Sequence, residues 1–87
     1  MSDPWPDVDD YLQAHLLPPD PALDAALAAN AAAGLPPIDV TALQGRFLHL
    51  LACLMNAQRI LEIGTLGGYS TTWLARALED DGRLVTL

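Results

Sequence analysis

The sequence predicts an α/β fold in which three helices precede a single βαβ unit. Two observations carry that prediction. A short apolar run, Arg59-Ile-Leu-Glu-Ile63, ends against Gly64, Gly67 and Gly68, and a segment opening on hydroxyls, Ser70-Thr-Thr72, follows at once. Strand, tight turn and helix N-terminus in that order are what α/β folds use to hold nucleotide-like ligands. A second apolar run, Arg83-Leu-Val-Thr-Leu87, comes at the distance of a parallel strand returning after one helix.

The chain has 87 residues, enough for one small domain. Its hydrophobic fraction is 52% against 17% charged, far from a disordered composition. That is more apolar material than one small βαβ unit can bury, so a partner surface or a part of a larger domain is expected. The net charge is -7, and the four basic residues are all arginine with no basic stripe among them, which excludes a nucleic-acid backbone as partner. Cys53 is the single cysteine, so there is no disulfide framework, and a reducing, cytoplasmic setting is expected. The acidic start (Asp3, Asp7) does not read as a signal peptide. Asn30, His49 and Gln58 interrupt the apolar stretches before any reaches membrane-spanning length, so no membrane association is expected.

Along the chain, residues 1–6 read as a leader, 7–56 as a helical region and 59–87 as the βαβ unit. Asp7 is placed to cap a first helix carrying Val8, Tyr11, Leu12, His15 and Leu16 on one stripe, and Pro18-Pro19 ends it. Asp20-Pro21 reads as an N-cap with proline at the first helical position. The alanine-rich stretch from Pro21 to Ala33 then favours helix, with Gly34 as its stop. Leu35-Pro-Pro-Ile38 is extended. Thr41-Ala-Leu-Gln44 is a capping-box pattern opening a third helix to about Asn56. Leu43, Phe47, Leu50, Leu51, Leu54 and Met55 give that helix a wide apolar face, which predicts burial on more than one side. Gly45 within it costs roughly 1 kcal/mol relative to alanine, so crowding against another element or a ligand is expected there. Strand one spans Arg59 to Ile63, a fourth helix about Tyr69 to Leu78, and Asp81-Gly82 turns into strand two.

Glu62 is the sharpest chemical clue. A carboxylate inside an otherwise apolar strand is costly unless it gains a cation or hydrogen bonds. An ammonium-bearing ligand at the strand's C-terminal edge would supply one, whereas nearby backbone N–H groups or solvent are the structural alternative. Leu66 stands where a dinucleotide fingerprint needs its second glycine, and the chain has no lysine for a P-loop, so neither nucleotide motif is met. Other chemistry-bearing side chains read as structural. Tyr69 and Trp73, four apart, are packing residues, His49 and His15 lack ligand-spaced partners, and Cys53 is a small buried hydrophobe.

Taken together, Leu61-Glu-Ile-Gly-Thr-Leu-Gly-Gly-Tyr-Ser70, preceded by Val40-Thr41 and Gln44-Gly-Arg-Phe47, resembles the N-terminal part of the caffeoyl-CoA and catechol O-methyltransferase-like family. The resemblance runs from about Val8 to Leu87, with the first two helices matching only in general character. It implies an S-adenosylmethionine-dependent enzyme of Rossmann-like fold, of which this chain holds the N-terminal helices and first βαβ unit. It also implies cofactor-binding roles for Val40, Glu62, Gly64, Thr65, Gly68 and Ser70, with Glu62 beside the methionine part and Ser70 near its carboxylate end. The intact enzyme would methylate a hydroxyl, phenolic in type, on a small molecule. It would bind a divalent metal through downstream acids and form a homo-oligomer. The metal ligands, the general base and the ribose-binding acid of such enzymes do not fall within these residues, so catalysis by them alone is not expected and no catalytic or metal residue is nominated. The alternative is a small non-catalytic α/β module acting through helical self-association. A different nucleotide-binding Rossmann enzyme is disfavoured by Leu66.

Overall fold

The computed structural model describes residues 3–87; Met1 and Ser2, part of the expected leader, lie outside them. The order is α1 (Trp5–Leu16), α2 (Pro21–Ala32), α3 (Ala42–Leu54), β1 (Arg59–Glu62), α4 (Tyr69–Ala75) and β2 (Arg83–Thr86). Three helices followed by one βαβ unit is the predicted architecture.

Local chemistry explains most boundaries. The Asp20 side chain accepts from Leu23 N at 3.2 Å and Pro21 opens α2. Thr41 and Gln44 form the reciprocal capping box of α3, each side chain bonded to the other's backbone N–H at 3.1 and 3.0 Å. The last turn of α2 runs into Gly34, whose φ of 74° is the left-handed stop that glycine permits.

The expected start of α1 is corrected. Trp5 and Pro6 belong to the helix, with Pro4 at its N-cap, and the Asp3 carboxylate accepts from Trp5 N at 3.0 Å. Asp7 is a first-turn residue rather than the cap. Proline fits the first turn because its missing N–H would lack an intrahelical partner there anyway. The other ends fall slightly short of expectation. β1 stops at Glu62, β2 at Thr86 and α4 at Ala75, beyond which the chain turns through Arg76 and Ala77.

The two strands are parallel, with Ile60 opposite Leu84, Leu61 opposite Val85 and Glu62 opposite Thr86. α4 packs against α3, α2 and β2, while α1 packs on α3. The centre of the fold is Leu23, Tyr69 and Trp73, with Leu17, Ala26 and Val40 packed around them. Tyr69 and Trp73 are thus core residues, as their spacing predicted.

Gly45 is buried under the Trp73 indole; a Cβ there would lie 2.2 Å from Trp73 Cδ1. Crowding against another element is therefore the reason for that glycine. A half-exposed ion pair completes the packing: Arg76 donates to both Asp20 oxygens, at 2.5 and 3.1 Å, and ties the end of α4 to the start of α2. Arg76 holds the Asp20 carboxyl below its ordinary range.

Two burial expectations are overturned. The apolar face of α3 is not covered, since Phe47, Leu50, Leu51, Leu54 and Met55 are all exposed. Cys53 is exposed too, its sulfur 3.6 Å from His49 Nε2. The reason is geometric. α4 and α1 pack on the Gly45 side of α3, and no described element reaches the opposite side. The outer face of the sheet is similarly open at Leu61 and Val85.

Candidate functional site

Between the end of β1 and the start of α4 the backbone takes positive φ three times, at Gly64 (105°), Leu66 (48°) and Gly68 (90°). Two of these are glycines for that reason. Leu66 is not, and a left-handed leucine costs about 1–2 kcal/mol. Strain of this kind concentrates at ligand sites. Gly67 has a different reason, because a Cβ there would fall 1.5 Å from Asn30 Oδ1. The turn is anchored from behind: Gly64 N and Thr65 N both donate to the Leu87 carbonyl, at 2.7 and 3.0 Å.

The turn faces the extended segment before α3 across a hollow of about 80 Å³. Ile38, Asp39 and Val40 form one wall; Gly64, Thr65 and Leu66 form the other, with Tyr69 and Ser70 at the end. Four of the six nominated cofactor residues, Val40, Gly64, Thr65 and Ser70, therefore line one space. Gly68 is behind them as the N-cap of α4, and Glu62 is set beneath.

Glu62 is half-buried and fully engaged on one oxygen. Thr71 and Thr86 (2.8 Å) both donate to its Oε1, and Ser70 donates to Oε2 at 2.6 Å. Burial pushes its carboxyl up, but the three hydroxyl donors outweigh that and hold it below the ordinary value of 4.5. The carboxylate is thus satisfied by hydroxyls from α4 and from the paired strand, rather than by backbone N–H groups. A carboxylate offers about four acceptor positions, so roughly one on Oε2 is left for an external donor. No cationic side chain among the described residues pairs with it.

The residue that sequence reasoning missed is Asn30. It is buried, its Nδ2 donates to Asp39 Oδ1 at 3.0 Å, and its amide lies against Gly67. The one uncharged polar side chain in an alanine-rich helix was the available signal.

A larger cavity of about 640 Å³ opens between α1, α3 and α4, walled by Arg46, His49 and Trp73 among others. None of the six nominated residues lines it. His49 Nδ1 is 3.0 Å from the Trp73 carbonyl, which fixes the ring as a packing element. No three His, Cys, Asp or Glu side chains come together as a cation site among the described residues.

A family model described as O-methyltransferase matches residues 20–87. The chain belongs to the O-methyltransferase family. The catechol O-methyltransferase of Mycobacterium tuberculosis is 61% identical over 82 residues, covering 94% of this chain and 37% of that protein. Among solved structures, an O-methyltransferase from Bacillus cereus in complex with SAH superposes with a TM-score of 0.90 at 55% identity. It covers 92% of this chain and 36% of its own. The O-methyltransferase TomG of Streptomyces achromogenes, in complex with SAM, gives a TM-score of 0.88 at 52% identity over 99% of this chain and 40% of its own. The chain thus spans little more than a third of the length of the O-methyltransferases it matches, and its helices and small parallel sheet are the corresponding part of their fold. The unburied apolar surface of α3 and of the sheet agrees with such a part.

Proposed function

We propose that this chain carries the methionine-side half of an S-adenosylmethionine site and serves an O-methyltransferase that transfers methyl to a hydroxyl, phenolic in type, on a small molecule. The observation that supports it most is the convergence of Val40, Gly64, Thr65 and Ser70 on one hollow directly above Glu62. The donor set suits the amino-acid end of that cofactor. Glu62 offers a negative acceptor to an ammonium, while the Ser70 and Thr65 hydroxyls, which give their protons to Glu62 and Thr86, hold that acceptor in place. The bound cofactor would supply an electrophilic methyl on a sulfonium. The acceptor pocket, the base and any divalent metal that lowers the hydroxyl's pKa would come from other residues, so residues 1–87 alone are expected to be inactive. Calorimetric titration of S-adenosylhomocysteine into the full chain tests the reading. Saturable one-site binding is expected, and no heat at millimolar ligand would overturn it.

The uncovered face of α3 favours a further reading, that the chain self-associates, as the homo-oligomer expectation requires. Phe47, Leu54 and Met55 are 61%, 82% and 77% exposed, an arrangement unusual on a monomer surface. Sedimentation of the 87-residue chain is expected to show dimers or larger species, and Leu54→Glu with Met55→Glu to return it to monomer. A wild-type monomer at high concentration would remove this reading.

A further inference from the structure

We propose that Asn30 is a positioning residue that sets the width of the cofactor hollow by holding both of its walls. The inference rests on the cofactor reading above and extends it to a side chain outside the lining of the hollow and outside the nominated residues. Asn30 is 6% exposed, near the C-terminal end of α2. Its Nδ2 donates to Asp39 Oδ1 at 3.0 Å, and Asp39 is a member of the 38–40 wall. The same amide is packed on Gly67, at the back of the opposite wall, so closely that no side chain is admitted there. One planar group therefore spans from the segment carrying Val40 to the turn carrying Gly64 and Thr65. Asn30's own carbonyl accepts from Leu35 N at 3.1 Å, which fixes the chain where it leaves α2 toward that first wall.

The chemistry explains the residue type. The group must donate to a half-buried carboxylate and still be flat and small enough to lie on a bare backbone. Leucine would fit the size but would leave the half-buried Asp39 without its donor. Aspartate keeps the shape but sets two carboxylates 3.0 Å apart. Because walls of this kind hold a ligand only at one separation, a shift of a few tenths of an ångström is paid in affinity before it is paid in folding.

The test is a donor–acceptor exchange read by calorimetry with S-adenosylhomocysteine, on the full chain, well below each variant's unfolding temperature. Asn30→Asp is expected to weaken binding at least about tenfold, the cost of replacing a half-buried charged hydrogen bond by two facing carboxylates. Asn30→Asp combined with Asp39→Asn restores a donor facing an acceptor and is expected to return affinity to within about threefold of wild type. Gly67→Ala is expected to lose binding, and to regain part of it when Asn30→Ala removes the clashing amide. Wild-type affinity in folded Asn30→Asp would overturn the proposal, as would an affinity loss that merely follows the folded fraction or that the exchange does not rescue. Failure of the wild-type chain to bind S-adenosylhomocysteine would instead overturn the cofactor reading, and this inference with it.

Discussion

Gly45→Ala is expected to destabilise the fold by about 2 kcal/mol, although alanine is the better helix former. The new methyl would lie 2.2 Å from Trp73 Cδ1 and 2.4 Å from Nε1, so α3 and α4 must separate or the indole must leave its place. Separation would uncover the packed indole. Trp73 is 7% exposed and belongs to the only cluster of buried apolar residues among the described ones. The half-exposed pair of Asp20 and Arg76 also ties α4 to α2. Overpacking against such a site typically costs up to about 3 kcal/mol, against roughly 1 kcal/mol gained in helix propensity. Urea unfolding followed by tryptophan fluorescence reads the difference. The cause is separable from a general intolerance of α3 by a cycle with Trp73→Leu. In that background the methyl meets open space, and Gly45→Ala is expected to change sign and stabilise by up to about 1 kcal/mol. A neutral or stabilising Gly45→Ala in the wild-type background would show that the helices yield more easily than their packing indicates.

Residues of the turn and the caps were legible because their chemistry is local. Asp20-Pro21, Thr41 with Gln44, and the glycines around Leu66 each fix a boundary through groups a few positions apart, and each boundary falls where the pattern puts it. Glu62 was legible as an anomaly, a carboxylate in an apolar strand, but its partners were not. Thr86 reaches it only through the parallel register that sets those two residues opposite each other, and Thr71 through the first turn of α4. Pairing across a crossover is not written in any short window. Asn30 was missed for the same reason, since its side chain meets Asp39, nine positions on, and Gly67, far beyond. The burial expected for Phe47, Leu50 and Leu54 failed differently. Amphipathic patterning reports that a face requires cover, not that these residues supply it. A chain corresponding to little more than a third of its relatives' length leaves that requirement open.

Glu62→Gln is expected to separate the two roles that this geometry gives one carboxylate. As a structural anchor, Glu62 accepts from α4 and from β2, and losing a charged acceptor there costs about 1.5–3 kcal/mol. Its folded-state pKa is depressed below 4.5, so its stabilising contribution is fully present above that value and is lost as pH falls through the lower folded pKa. Wild type should therefore lose stability on acidification below about pH 4.5 in excess of Glu62→Gln, whose thermal midpoint starts lower and falls less steeply. As a ligand group, Glu62 has about one acceptor position left on Oε2 for an ammonium. An amide that turns its NH2 toward Ser70 no longer carries the charge which that ammonium needs. Affinity for S-adenosylhomocysteine should fall at least about tenfold in folded Glu62→Gln, the scale of a charge-assisted hydrogen bond. The decisive comparison is with 5′-methylthioadenosine, which keeps the nucleoside and lacks both the ammonium and the carboxylate. Its binding should be unchanged by the substitution if Glu62 meets the amino-acid end. Equal losses for both ligands would mean that Glu62 acts only by holding the turn, and an unchanged S-adenosylhomocysteine affinity beside a lowered thermal midpoint would reduce it to a bond between two strands and a helix.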